Sequence, residues 1–81
     1  EFAIVLQDTR TEECLNFAER IRKNIEMHNF GDESREIHCT ISIGIAHYPD
    51  PDITCGEDLI SKADKALYTA KGEGRNRVCI L

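Results

Sequence analysis

The chain has 81 residues, a formal net charge of −5 and 31% charged residues. This length allows one small domain with a thin margin of stability, because such a chain buries only about 60% of its unfolded surface. The acidic balance argues against a general nucleic-acid or membrane-surface binder, which needs a broad basic face, but it leaves room for one local basic pocket.

The first predicted element is a β-strand over residues 1–6, EFAIVL, where five consecutive apolar residues indicate burial on both faces. A helix is predicted over residues 11–28, because apolar residues recur there at helical spacing. Thr9 and Glu12 have the spacing of a capping box at the start of this helix. No apolar run approaches the roughly 20 residues of a membrane span, and we expect no signal peptide.

Apolar residues alternate strictly with small or polar ones over residues 36–47, EIHCTISIGIAH, and this period of two predicts a second strand. Gly44 lies on the small face of this strand, where it would permit close approach of another backbone. The two prolines of YPDPDI predict a loop. Thr54 and Glu57 have capping-box spacing before a second apolar helix that is predicted to end at Lys71.

NRVCIL, residues 76–81, predicts a last short strand, so the predicted order is strand, helix, strand, helix, strand. This order predicts a single domain of the α/β or α+β class, with helices flanking a central sheet of at least three strands.

The cysteines and histidines predict no metal site. No CxxC pair occurs, the histidines are scattered, and nothing suggests the secreted context that a disulfide framework needs. We interpret the cysteines as small, mostly buried thiols in a reducing cytoplasm. The residues concerned are Cys14, Cys39, Cys55, Cys79, His28, His38 and His47.

The segment ALYTAKGEGRNRV, residues 66–78, carries the clearest chemical signal. Lys71 would lie at the negative end of the second helix, which favours a cation by about 0.3–1 kcal/mol. Two glycines follow and would fold the chain back, so that the forked donors of Arg75 could join Lys71 on a polyphosphate. From the residues alone, an alternative remains open: Lys71 caps the helix, and Arg75 and Arg77 are solvated.

Four motifs, EFAIVL, AERIR, SIGIA and ADKALYTAKGEGRNRV, resemble in order and interval the GGDEF family of diguanylate cyclases over essentially the whole chain. The resemblance identifies residues 1–81 as the carboxy-terminal portion of a single GGDEF domain. It implies a palm-like fold similar to nucleotide cyclases and polymerases. It also implies a homodimer that, with Mg²⁺ or Mn²⁺, condenses two GTP into cyclic di-GMP and two pyrophosphates.

The resemblance also implies roles for individual residues. Lys71 and Arg75 are similar to the phosphate-binding lysine and arginine of the family. Glu1 resembles the fourth letter of the family signature, a catalytic carboxylate beside the metal, and Phe2 resembles the fifth letter, a buried anchor. Arg20 is similar to an arginine that binds cyclic di-GMP at an inhibitory site in some members; a solvated helix arginine is the alternative.

The two glycines and the third-position acid of the signature do not occur before Glu1 in these 81 residues. We therefore expect this chain by itself not to make cyclic di-GMP. Two further hypotheses stay open: a degenerate module that senses GTP or cyclic di-GMP without turnover, and an interaction role through an uncovered first strand. We expect a cytoplasmic location, no nucleic-acid partner and no membrane contact from this segment, although upstream domains could anchor the parent protein.

Overall fold

The computed structural model describes residues 1–81 and contains two helices and two short strands. In chain order these are α1 (Thr11–Met27), β1 (Ile43–Ile45), α2 (Gly56–Gly72) and β2 (Val78–Ile80). The α+β class predicted from the sequence is confirmed, and both helices end within one residue of their predicted limits. Neither helix combines the length and the apolar character that crossing a membrane requires.

The two strands pair in parallel, with Ile43 opposite Val78 and Ile45 opposite Ile80. Because α2 connects them, β1, α2 and β2 form a βαβ unit. One further bond extends the pairing before β2: the Ile43 N–H donates to the Arg77 carbonyl oxygen at 2.9 Å. The chain between α2 and β2 is therefore held beside β1, and this is where the candidate site lies.

A small core lies between α2 and the sheet. Ala66 and Ala70 of α2 are completely buried, and Ile45 of β1 is also buried. The two layers approach closely at Gly44, because a Cβ added there would lie 2.2 Å from the backbone nitrogen of Leu67. The sequence prediction that Gly44 permits close approach of another backbone is thus confirmed.

The predicted strand over residues 1–6 is wrong for this structure. These residues form no regular element and are exposed, and the Phe2 ring, expected to be a buried anchor, is fully exposed. A β-strand is stabilised by hydrogen bonds to a neighbouring strand. No other segment within residues 1–81 pairs with residues 1–6. For the same reason the strand predicted over 36–47 shortens to Ile43–Ile45, the part that faces β2, and the sheet has two strands instead of three.

The predicted capping box of α1 is also wrong. Arg10 occupies the N-cap position without a side-chain cap bond, and the Thr9 hydroxyl instead donates to the Gln7 carbonyl oxygen at 2.9 Å. An exposed ion pair between Arg10 and Glu13, 3.3 Å apart, lies at this end of the helix.

At α2 the capping carboxylate is one residue further along than predicted. Cys55 is the N-cap residue, and the backbone N–H and hydroxyl of Thr54 donate to the Asp58 carboxylate at 3.0 and 2.8 Å. These bonds, the backbone N–H first, lower the pKa of the Asp58 carboxyl. Glu57 makes no such bond.

The expectation of mostly buried thiols is wrong as well. All four cysteines are free, none is buried, and two of them, Cys39 and Cys55, are exposed. Cys39 lies in the part of the predicted strand over 36–47 that forms no regular element.

Candidate functional site

The C-terminus of α2 folds back on itself through backbone hydrogen bonds. Glu73 is the C-cap residue, and its N–H donates to the Thr69 carbonyl oxygen at 2.9 Å. The Arg75 N–H donates to the Ala70 carbonyl oxygen at 2.9 Å. Such bonds satisfy carbonyl groups that the last turn of a helix leaves free. They also hold the Arg75 backbone against the end of α2. We call residues 71–77 the basic turn.

The basic turn requires three successive residues with positive φ. Gly74 has φ 122°, Arg75 has φ 65° and Asn76 has φ 49°. Glycine adopts such angles freely and asparagine tolerates them, whereas arginine in this region costs roughly 1–2 kcal/mol. The conformation at Arg75 therefore depends on contacts from neighbouring elements.

Both cations predicted to bind phosphate belong to this turn. Lys71 is the basic residue of the last helical turn, and Arg75 follows four residues later. Both side chains are exposed, and neither takes part in an ion pair or a side-chain hydrogen bond. The neighbouring Arg77 donates its Nε–H to the Arg75 carbonyl oxygen at 3.1 Å. The turn thus offers two cations whose side chains make no bond, Lys71 and Arg75, beside a third exposed cation, Arg77, that has no ion-pair partner.

Asn76 connects the basic turn to the rest of the fold. Its Oδ1 accepts a hydrogen bond from Arg22 Nη1 at 2.9 Å, and its backbone N–H donates to Ser42 Oγ at 3.1 Å. Its Nδ2 donates to a carboxylate oxygen of Glu26. Asn76 therefore links the turn to α1 and to the residue just before β1.

Arg22 is itself held firmly, because only 12% of its side chain is exposed. Its guanidinium makes two bonds to the Glu19 carboxylate, at 2.5 and 3.0 Å, and a weaker one to Glu26 at 3.5 Å. Forked pairs of this kind fix direction as well as charge. The hydrogen bond from Arg22 lowers the pKa of the Glu19 carboxyl, and the same bond raises the pKa of Arg22.

Sequence reasoning missed this network. Arg22 lies off the apolar stripe of α1, a position that favours exposure to solvent, but its side chain is largely covered. Its partner Asn76 is 54 residues away, and no local pattern connects two polar residues at that distance. The one available signal was the identity of Asn76, since asparagine after glycine and arginine suits a left-handed turn.

The other two predicted site residues lie outside the basic turn. Glu1 is exposed in the irregular first segment, and no hydrogen bond or ion pair joins it to Lys71 or Arg75. Arg20 is exposed on α1, with its guanidinium carbon 5.6 Å from the centre of the Phe17 ring, a cation–π contact. Lys71 and Arg75 therefore both belong to the basic turn, and no hydrogen bond or ion pair joins Glu1 or Arg20 to either of them.

Residues 1–81 do not by themselves fit a divalent metal. No group of three or more histidine, cysteine, aspartate or glutamate side chains lies close enough to hold an ion. Glu1 offers a single exposed carboxylate, whereas Mg²⁺ takes octahedral coordination by oxygen atoms.

Comparison with known proteins gives consistent matches along the chain. The family model described as diguanylate cyclase, GGDEF domain, matches residues 1–77. Diguanylate cyclase A of Treponema denticola is 39% identical over 80 residues, which cover 99% of this chain and 21% of that protein. A diguanylate cyclase of Vibrio cholerae is also 39% identical over 80 residues, 99% of this chain and 24% of its own length.

Diguanylate cyclase DosC of Escherichia coli is 44% identical over 80 residues, which cover 96% of this chain and 17% of DosC. The chain therefore spans between 17% and 24% of the length of these three relatives. The basic turn, residues 71–77, lies entirely inside the stretch that the family model matches.

Proposed function

Because the chain belongs to the GGDEF family, we propose that it supplies the triphosphate-binding turn of a diguanylate cyclase. In this proposal residues 1–81 are the carboxy-terminal portion of one GGDEF domain, and two such domains in a homodimer each hold one GTP. The 3′-hydroxyl of each GTP attacks the α-phosphorus of the other, the bond to the β-phosphate breaks, and two pyrophosphates leave as cyclic di-GMP forms. The reaction takes place in the cytoplasm, where GTP is available.

The observation that carries the proposal is the pair of unpaired, exposed cations at one helix end. The Lys71 ammonium is a compact charge, and the Arg75 guanidinium offers forked donors that match phosphate oxygens. Phosphoryl transfer depends mostly on positioning and on neutralising the charge that develops on the leaving group. Lys71 and Arg75 supply both when the triphosphate lies against the basic turn.

The family implies Mg²⁺, or Mn²⁺ in its place, which when bound neutralises charge on the phosphates. Since residues 1–81 do not form such a site alone, we assign Glu1 only as a candidate carboxylate ligand and catalytic group. Arg20 is assigned as a candidate contact for cyclic di-GMP, because its guanidinium is exposed and forms no ion pair.

The test is a chimera of the Vibrio cholerae diguanylate cyclase in which this chain replaces the 80 matched residues. Cyclic di-GMP formed from GTP and Mg²⁺ is measured by mass spectrometry. We expect the chimera to be active, and Lys71→Ala and Arg75→Ala each to lower kcat/KM about 10²- to 10³-fold, the loss typical for one group that stabilises transition-state charge. Lys23→Ala is the control, because Lys23 is also exposed and unpaired but lies on α1.

An active chimera in which Lys71→Ala and Arg75→Ala behave like Lys23→Ala would contradict the proposal. A folded chimera that binds GTP through Lys71 and Arg75 without turnover would replace it with the sensor function. A folded chimera that neither turns over nor binds GTP would contradict both functions.

A further inference from the structure

Asn76 uses every hydrogen-bonding group of its side chain, and also its backbone N–H, on residues outside the basic turn. These partners are Arg22 and Glu26 of α1 and Ser42 before β1. By contrast, the Arg75 side chain makes no hydrogen bond. Its backbone N–H donates to the Ala70 carbonyl oxygen of α2. Its carbonyl oxygen accepts only from Arg77 Nε, within the basic turn. The left-handed conformation at Arg75 is thus fixed by α2 on one side and by Asn76 on the other.

We propose that Arg22 and Asn76 are positioning residues, which hold the basic turn in its left-handed conformation and so determine where Arg75 presents its guanidinium to a phosphate. The ligand part of this inference rests on the proposed function. The conformational part rests on the hydrogen bonds alone.

Arg22 is suited to this role because it is anchored before it meets the turn. Its Nε and Nη2 atoms bind the Glu19 carboxylate in a fork, which fixes the guanidinium plane. The remaining nitrogen, Nη1, donates to Asn76 Oδ1. Lysine at this position would keep the charge but could not bind Glu19 in a fork and Asn76 at once. The left-handed conformation of Arg75 is unfavourable by itself. Without the bond from Arg22 to Asn76, the turn would therefore relax away from it.

The geometry separates the two phosphate-binding cations. Lys71 belongs to the last turn of α2, whose backbone is held by helical bonds that do not involve Arg22. Arg75 belongs to the part of the turn that Asn76 holds. Loss of Arg22 should therefore displace Arg75 and leave Lys71 in place, so Arg22 is coupled to Arg75 but not to Lys71.

The first test is amide hydrogen exchange, measured by NMR on the full 81-residue chain without ligand. We expect Arg22→Lys to speed exchange at the Arg75 and Asn76 amides about tenfold relative to amides in the middle of α2, the loss typical for a hydrogen bond to a charged group. Arg10→Lys is the matched control, because Arg10 pairs with Glu13 on the same helix and does not touch the turn.

A second variant, Asn76→Gly, removes the side chain while leaving the positive φ accessible, so it reports on the contacts alone if Arg22→Lys disturbs α1 as a whole. We expect the same loss of protection at Arg75. An Arg75 amide that is already unprotected in the unaltered chain, or that keeps its protection in a folded variant, would overturn the inference.

The second test is a pair of double-mutant cycles on kcat/KM for GTP in the chimera. Arg22→Lys should cost about tenfold alone, cost nothing further when Arg75 is already alanine, and keep its full effect when Lys71 is alanine. If Arg22→Lys lowers kcat/KM by the same factor whether or not Arg75 or Lys71 is alanine, the positioning role is overturned. If Lys71→Ala and Arg75→Ala have no effect by themselves, the proposed function fails, and the exchange experiment still decides whether Arg22 and Asn76 hold the turn.

Discussion

Gly44 of β1 lies so close to Leu67 of α2 that a Cβ on the glycine would fall 2.2 Å from the backbone nitrogen of Leu67. The same Cβ would lie 2.3 Å from the Ala63 carbonyl oxygen. Both contacts are with helix backbone, which cannot move aside as a flexible side chain does. We therefore predict that Gly44→Ala lowers the free energy of unfolding by about 1–3 kcal/mol or more, measured by urea denaturation.

Gly56→Ala is the matched control for this substitution. Nothing lies within 4 Å of a Cβ added at Gly56, the first residue of α2. Alanine there should leave stability unchanged or raise it by about 0.4–1 kcal/mol, because it restricts the unfolded chain. Equal unfolding free energies for the two variants would contradict the close packing of β1 on α2.

The ion pair between Asp50 and Lys62 predicts a defined response to acid. The Lys62 ammonium lies 2.5 Å from the Asp50 carboxylate, and both side chains are mostly covered. This hydrogen bond is the largest cause that lowers the pKa of the Asp50 carboxyl, and the Asp52 N–H adds to it. The carboxylate therefore stabilises the fold above its unfolded pKa of about 3.9, and this contribution disappears as the pH falls through the lower folded value.

We predict that Asp50→Asn is less stable than the unaltered chain near neutral pH and loses less stability between about pH 5 and pH 2. Urea denaturation at a series of pH values measures this difference. Asp64→Asn is the control, because the Asp64 side chain is exposed and has no ion-pair partner. A stability profile for Asp50→Asn that runs parallel to that of the unaltered chain would show that the pair does not contribute.

The start of α2 offers a direct comparison between two neighbouring carboxylates. Asp58 accepts both hydrogen bonds from Thr54, whereas Glu57 accepts none. We predict that Asp58→Ala lowers the thermal midpoint and speeds amide exchange in the first turn of α2, and that Glu57→Ala changes exchange there far less. Similar effects of the two substitutions would mean that charge near the helix N-terminus, and not the Thr54 bonds, is what stabilises this end.

The 81-residue chain alone is predicted to form no cyclic di-GMP from GTP and Mg²⁺. It contains no cluster of acidic side chains that could hold the metal, and Glu1 makes no hydrogen bond or ion pair with the basic turn. Mass spectrometry of the reaction mixture measures the product, with the active chimera as the positive control. Product formed by a pure sample would show that residues 1–81 are sufficient for the reaction without such a cluster.

The helices could be predicted from the sequence because their signal is local. Apolar spacing predicts both limits of α1 to within one residue, and the glycine after Lys71 predicts the end of α2 to within one residue. Both patterns depend on neighbours a few positions away. The strands could be predicted only in part. Alternation over 36–47 indicates a strand correctly, but its length depends on how much of β2 lies beside it.

The residues of the candidate site also fall into those that local sequence predicts and those that depend on distant contacts. Lys71 and Arg75 could be found because helix end, glycines and cations follow one another in sequence. The position of Glu1 could not be predicted, since an apolar run says nothing about whether a neighbouring strand exists. The Arg22 and Asn76 contact joins residues on different elements, and only the packing of α1 beside the sheet reveals it.

The most direct test of the proposed function is a titration of the isotope-labelled chain with inorganic triphosphate, followed by NMR. We predict that the amide signals of the basic turn shift in a saturable way, and that Lys71→Ala and Arg75→Ala each weaken binding about tenfold while Lys23→Ala does not. Shifts that occur elsewhere, or an affinity that is the same in all three variants, would contradict the claim that this turn binds the triphosphate.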